Sequence, residues 1–223
     1  MEKCNYRKDP HQDIDHVFRD LLPAHGMVER PAQVELSHQM LDTMLNGSIA
    51  LCDAGTGIGK TYVYLVAGVV FRRYRSRAGL PNQPLLISTS SIALQGAIIH
   101  DYLPFLSKVM MADGMLDSPL RAVLRKGKSH YVCDARLMKR LQTANLDRKN
   151  PLAKAALLSM RDHLDLDMAP HLSGYDRERI CVPPTCDCGK TECRYLCYLD
   201  VCVSERYAIQ VCNHNLLLAD AIH

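Results

Sequence analysis

The sequence predicts a doubly wound α/β domain with a parallel sheet, into which a second, mainly helical and cysteine-rich domain is inserted. Three observations carry that expectation. Two strand-then-helix cycles follow one another between residues 48 and 103, a short strand pattern returns near residue 209, and seven of the ten cysteines lie between them. The composition suits a packed domain: 223 residues, 48% hydrophobic and 23% charged. A net charge of +3 is too small to name a partner by itself. No apolar run approaches the roughly 18 residues of a membrane span, and the N-terminus has no apolar signal segment, so a cytoplasmic, reducing location is expected. Thiols there serve as metal ligands or core residues more readily than as disulfides.

The elements follow in order. Residues 1–27 are polar and irregular in pattern and read as a leader that packs against a later domain or frays. The α/β domain starts with residues 28–109. Pro31 opens a helix through Val34, Leu36, Met40, Leu41 and Leu45, stopped by Asn46-Gly47. Ser48–Asp53 is a short apolar run expected as a buried parallel strand, and Thr61–Tyr74 as a largely buried helix with a basic exit. The second cycle is a strand at Leu85–Thr89 and a helix from about Ser91 through Leu103. Residues 110–203 are expected to form the insertion, and 204–223 return to the first domain with a strand at Tyr207–Asn213 and a helix start at His214.

Ala54-Gly55-Thr56-Gly57-Ile58-Gly59-Lys60-Thr61 has the spacing of a phosphate-binding loop, with Ala where the stricter pattern has Gly. Its place between a strand and a helix supplies the mechanism: glycines let backbone N–H groups turn toward phosphates, and the helix N-terminus adds positive potential. Lys60 would hold the β- and γ-phosphates of ATP and Thr61 would ligate Mg²⁺. A glycine-rich turn that binds nothing is the plainer alternative. Arg30 and Gln33 precede the loop by one helix, where a Gln amide has the donor and acceptor that adenine needs.

Cys181, Cys186, Cys188, Cys193, Cys197 and Cys202 crowd one stretch, with Cys133 well upstream. Four of them can hold Zn²⁺ or a [4Fe–4S] cluster, and spacing alone does not choose between the two. Cys4, Cys52 and Cys212 stand apart, the last two in apolar strand patterns that make them small core residues. Around Cys133 lie Arg121, Arg125, Lys126, Lys128, Arg136, Lys139 and Arg140, opposed only by Asp134, a segment that either tracks phosphates or is a solvated basic face. Tyr131 either stacks a base or packs beside the thiols.

Together, Arg30-x-x-Gln33, Asp53-AGTGIGKT, Ser88-Thr89-x(4)-Leu94-Gln95, Lys126-Gly-x-x-x-Tyr131-x-Cys133, the later cysteines and Val211-Cys-Asn213-His214 resemble, in that order, the DinG/XPD family of iron–sulfur DNA helicases. The resemblance runs from about Val28 to the end. It implies a RecA-like fold and ATP-driven 5′-to-3′ translocation on single-stranded or forked DNA. By the same resemblance Gln33 matches the adenine-reading motif, Gly57, Gly59, Lys60 and Thr61 the phosphate motif, and Thr89 with Gln95 a segment touching the DNA backbone. Cys133 matches the first cluster ligand, with Cys188, Cys193 and Cys197 the best-fitting partners and Cys186 or Cys181 as alternatives. Lys126, Lys128, Arg136 and Lys139 are then candidate DNA contacts. His130 stands where relatives usually have Asn, and no DEAH box follows, so the chain is expected to be the N-terminal part of such an enzyme. Two rival expectations are a zinc-containing P-loop nucleotide-binding module and a remnant that hydrolyses nothing.

Overall fold

A computed structural model describes residues 9–143, 151–186, 188 and 193–222. The chain forms two compact units, Met1–Leu124 with Glu205–His214, and Arg125–Ser204 with Asn215–His223. Among the described residues no helix is long and apolar enough to cross a membrane.

In the first unit, helix α1 (Pro10–His16) starts at Asp9, whose side chain accepts the His11 N–H at 2.9 Å. It runs on through a π-turn at Val17–Leu21 and a last turn at Leu22–Ala24. Ile14, Val17, Phe18 and Leu22 are buried in the main core, so the described part of the expected leader packs rather than frays. Its apolar residues recur at helical spacing among many charges, which disguised the stripe. Helix α2 (Pro31–Leu45) has the expected proline in its first turn and ends at Asn46. Between α1 and α2 the ring Nδ1 atoms of His11 and His38 meet at 2.8 Å, and each ring's Nε2 reaches a carboxylate, Asp42 at 2.9 Å and Asp15 at 3.1 Å.

Helix α3 (Lys60–Arg77) is buried along Leu65–Val70, as its nearly continuous apolar run requires. Strand β1 (Leu85–Ser88) precedes helix α4 (Ile92–Ala97), whose start is capped by Ser91 Oγ accepting the Leu94 N–H at 3.2 Å. A π-turn at Ile98–Tyr102 leads into helix α5 (Leu103–Ala112). Strands β2 (Ala122–Leu124) and β3 (Ile209–Cys212) complete a parallel sheet in the order β1-β3-β2, in register at Leu85↔Ile209 and Ala122↔Ile209. β3 is central and buried throughout, which accounts for its lack of alternation.

At two places the structure departs from the sequence pattern. The second compact unit starts at Arg125, whereas the change of character in the sequence falls at residue 110, because α5 and the three-residue β2 both belong to the first unit. Ser48–Asp53 makes no ladder: Ile49 and Leu51 are 95% and 99% exposed, and Cys52 is exposed rather than a core residue. A strand needs hydrogen-bonding neighbours as well as a pattern. β1, at the sheet edge, has β3 on one side only, and Ala50 and Cys52 face it across an apolar groove of about 590 Å³ with Met40, Met44 and Tyr64.

The second unit contains helices α6 (Asp134–Thr143), α7 (Pro151–Ser159), α8 (Gly174–Ile180) and α9 (Arg194–Cys202); helix α10 (His214–Ile222) follows β3. Leu137, Leu157, Met160, Leu166 and Ile180 form its core, and isolated antiparallel bridges join Tyr131 to Asp165 and Val132 to Cys181. Charged side chains frame this small core. Arg194 Nε reaches Asp134 Oδ1 at 2.9 Å while its Nη atoms donate to the carbonyls of Arg161 and Met160 at 2.9 and 3.0 Å. Lys126 Nζ lies 2.6 Å from Asp165 and 2.7 Å from Asp167, and Arg177 also reaches Asp167 at 2.7 Å.

Two tests follow from this packing. Asp13 is 4% exposed and accepts from Arg73 at 3.4 Å and Arg77 at 3.1 Å, which ties α1 to α3. Asp13→Asn should cost about 2 kcal/mol in chemical denaturation, the scale of hydrogen bonds to a charged group. Partial burial works to raise the Asp167 carboxyl, but the bonds and charges of Lys126 and Arg177 prevail and hold it at about 2, below the ordinary 3.8. A depressed folded value stabilises above the unfolded one, and that stability is lost as pH falls from 3.8 toward 2. Acid unfolding followed by circular dichroism should be shallower across that window in Asp167→Asn, which should also be less stable at neutral pH.

Candidate functional site

The phosphate-loop residues 54–61 lie between the unpaired 48–53 segment and α3. Gly57 and Gly59 both have φ of 85°, a left-handed conformation that a side chain resists. Gly59 is doubly constrained, since a Cβ there would lie 2.5 Å from Gln33 Nε2. Gln33 is 4% exposed and donates through that nitrogen to the Gly59 carbonyl at 3.0 Å, while Arg30 donates to the Gly57 carbonyl. The two residues expected at an adenine site therefore brace the loop from α2. Below them Ser37 Oγ, buried, donates to the Val63 carbonyl at 2.9 Å.

Lys60 Nζ bends back to the Ala54 carbonyl at 2.7 Å and the Gly55 carbonyl at 3.5 Å, and its side chain is exposed. Thr61 is half-buried in the first turn of α3 and hydrogen-bonds Tyr64, whose phenol is pushed up chiefly by burial. Gly55, Thr56 and Gly57 are exposed, with Ala54 and Ile58 half-buried. A lysine over a glycine-rich turn at the amino end of a long helix is chemically suited to a phosphate chain.

After β1, Gln95 is 7% exposed and its Nε2 donates to the Thr89 carbonyl at 2.8 Å, while Thr89 Oγ1 accepts the Ser91 N–H at 3.2 Å. Both residues shape the turn, and Thr89 keeps partial exposure. Ser88 Oγ and His214 Nδ1 meet beside it at 2.7 Å, linking the ends of β1 and β3, a pairing without a local sequence signal.

In the second unit the expected ligands divide. Cys133 is buried beside Tyr131 and Val182, Cys193 caps α9, and Cys197 sits one turn along it, exposed. Cys188, also exposed, has its thiol pushed up to about 11 by its hydrogen bond and charge interaction with Cys186, then slight burial and the charges of Cys133 and Cys193. Those four sulfurs are electrostatic neighbours, yet among the described residues no three His, Cys, Asp or Glu side chains are gathered as a metal site. Cys181 instead donates to the Glu178 carbonyl at 3.4 Å and meets Arg136, and Cys202 is buried near Tyr198, its thiol raised by burial. Cys212 is buried in β3 as expected, and Cys4 lies outside the described residues.

The basic segment is largely occupied. Lys126 bridges two aspartates, Lys128 donates to the Pro184 carbonyl, and Arg136 donates to the carbonyls of Cys181 and Glu178 at 2.7 and 2.9 Å. Arg140 pairs with Asp176 at 2.6 Å and, with Arg179, covers the Tyr175 ring. Lys139 is exposed and shares a cleft of about 240 Å³ with Arg136, Arg140 and Arg179. His130 is exposed, with Nδ1 3.5 Å from Asp167. Tyr131 is 3% exposed, packed against Tyr195 and Tyr198 and accepting the Lys126 N–H at 3.0 Å, so it packs the thiol face and stacks no base. Sequence reasoning missed Asp165, Asp167 and Arg194, because partner choice among distant charges leaves no periodic trace.

These features describe an α/β unit with a glycine-rich loop before its long helix, and a helical unit bearing thiols and arginines. Comparison with known proteins finds relatives over part of the chain. The chain is 30% identical over 144 residues to the 3'-5' exonuclease DinG of Bacillus subtilis, covering 65% of this chain and 14% of that protein. It is 30% identical over 129 residues to the ATP-dependent DNA helicase YoaA of Haemophilus influenzae, 58% of this chain and 18% of the relative. Over 85 residues, 38% of this chain and 10% of the relative, it is 34% identical to the ATP-dependent DNA helicase DinG of Photobacterium profundum. No family model matches. The chain is thus related in sequence to the DinG-like helicases and spans less than a fifth of the length of each of these three relatives.

Gly59→Ala tests the loop. Left-handed strain of about 1–3 kcal/mol and the contact with Gln33 should lower its melting temperature, whereas Lys60→Ala, at an exposed side chain, should leave melting unchanged.

Proposed function

We propose that this chain is the ATP-binding part of a DinG-type DNA helicase, in which ATP hydrolysis drives 5′-to-3′ translocation on single-stranded DNA in the cytoplasm. The observation that carries this reading is the braced loop: left-handed Gly57 and Gly59, held from α2 by Arg30 and Gln33, ahead of Lys60 and Thr61. Lys60 leaves the Ala54 carbonyl to take the β- and γ-phosphates, Thr61 turns its hydroxyl to Mg²⁺, and backbone N–H groups of residues 55–61 complete the cradle. Arg30 and Gln33 position the loop first and contact adenine through whatever valence remains. Thr89, at the exposed turn after β1, and Gln95 behind it are the proposed DNA-backbone segment of this unit.

Cys133, Cys188, Cys193 and Cys197 are the proposed holders of a [4Fe–4S] cluster, with Cys186 as the substitute for Cys188; the thiol chemistry of the donor set fits such a group. Cys193 stands at the amino end of α9, one turn before Cys197. Cys181, whose thiol lies 3.4 Å from the Glu178 carbonyl, is the further alternative. Once bound, the group would staple the 181–197 segment to Cys133, stabilising a unit whose core is small. Lys139, with Arg136 and Lys128, faces DNA phosphates, while Lys126 serves the fold.

Nucleotide binding is tested by titrating a fluorescent ATP analogue with Mg²⁺: binding lost in Lys60→Ala supports the loop, and equal binding by both proteins removes it. Iron, sulfide and zinc are measured on protein purified without oxygen. Iron and sulfide lost in Cys133→Ser support the cluster; stoichiometric zinc would make this a zinc-bearing P-loop module instead. Binding to single-stranded DNA should fall steeply with salt, and Lys139→Ala should lower that slope by about one.

A further inference from the structure

The densest group of arginines in the first unit is not at the phosphate loop. A cavity of about 480 Å³ lies where α3 ends and where the chain enters β2 and β3, lined by Arg72, Arg73 and Arg77 from the helix, Arg121 before β2 and Arg206 before β3. These are the amino ends of parallel strands, whereas the loop joins the opposite end of α3. From Lys60 to Arg72–Arg77 the helix rises about 20 Å or more. The cavity is therefore separate from the proposed ATP site and does not depend on it.

Part of this charge has an ordinary explanation. Basic residues in the last turn of a helix answer its carbonyl dipole, and Asp13 takes both Arg73 and Arg77. That account stops at the helix. Arg72 is half-buried, its guanidinium pushed down by desolvation and raised by Glu205, and it donates to the Gln83 carbonyl. Arg121 and Arg206 come from other elements and are exposed, and among the described residues their guanidinium groups have no hydrogen-bond or ion-pair partner. The ladder pairs Ala122 with Ile209 and the Arg121 carbonyl accepts the Ala208 N–H at 2.8 Å, so both arginines enter adjacent strands at the same edge. Asp117 and Glu205 also line the cavity, so five arginines meet two carboxylates there, and the positive excess is what a bound anion would answer.

We propose that this cavity binds a phosphate group, with Arg121 and Arg206 as its principal donors and Arg72 as the half-buried third. A phosphate has enough oxygens to accept from more than one guanidinium fork, while a carboxylate is saturated by one. The volume suits a small ligand rather than a flat surface contact. Two sources share this chemistry, a free pyrophosphate-type anion and the 5′-phosphate of a nucleic-acid strand.

The test uses the 223-residue chain carrying Lys60→Ala, so that the phosphate loop contributes nothing. Inorganic pyrophosphate is titrated by calorimetry, and 5′-phosphorylated and 5′-hydroxyl oligonucleotides are compared by fluorescence anisotropy. The expected result is one pyrophosphate bound per chain, weakened about tenfold or more by Arg121→Ser with Arg206→Ser, the scale of a lost charge-assisted hydrogen bond. Both positions are exposed, so melting should not change. If pyrophosphate fails but the 5′-phosphorylated strand binds with the same arginine dependence and the hydroxyl strand does not, the strand end is the source. Absence of binding by either probe, or binding indifferent to the two substitutions, overturns the proposal.

Discussion

The hydrogen bond from Gln33 to the Gly59 carbonyl is made across a gap that no Cβ can share, and much of the first unit is arranged around that approach. It requires glycine at 59, which in turn permits the left-handed step that starts α3. It also requires α2 to lie against the beginning of α3, where Ser37 makes a second buried bond to the Val63 carbonyl. Once those two helices are locked, Val34 and Leu41 are placed in the same core as Leu65, Val66, Val69 and Val70. The loop is thus held by burial rather than by its own stiffness. A buried amide left without its acceptor would be costly, so the brace and the loop conformation stand or fall together.

What was legible in the sequence was whatever local chemistry specifies. Pro31 and Asn46-Gly47 bracketed α2, the glycines before Lys60 announced the loop, and the uninterrupted apolar run Ile209–Cys212 marked a central strand. Elements defined by their neighbours were harder to see. The three residues of β2 carry no pattern of their own and are a strand because β3 pairs with them. In α1 and the π-turn after it the buried Ile14, Val17 and Phe18 are interleaved with acidic and basic residues that find partners on α2, on α3 and at Asp113 just past α5. The basic stretch around Cys133 looked like one surface from the sequence alone. Its members separate only when Asp165, Asp167 and Asp176 arrive from elsewhere in the chain.

The second unit uses charge where a larger domain would use apolar volume. Asp134 with Arg194, Asp176 with Arg140, and the Lys126–Asp165–Asp167–Arg177 network surround a core of modest size. Such pairs fix orientation more than they add stability, since exposed partners gain little from Coulomb attraction. The aromatic face formed by Tyr131, Tyr195 and Tyr198 contributes the opposite, dense apolar contact beside Cys133. Thiols near the apolar side and arginines on the polar side give one small unit two chemically distinct surfaces.

The 48–53 segment shows how periodicity and pairing are different kinds of information. Alternation chooses which side chains face inward, and Ala50 and Cys52 do face the groove toward β1. Pairing decides whether the backbone is a strand, and here Ile49 and Leu51 stay in solvent. The consequence reaches the loop. Asp53 runs directly into Ala54, whose carbonyl receives Lys60 Nζ, while the other end of the loop is anchored through Gly59 to a buried amide. The 54–61 loop is therefore fixed firmly on its helix side and held at its other end by the lysine itself.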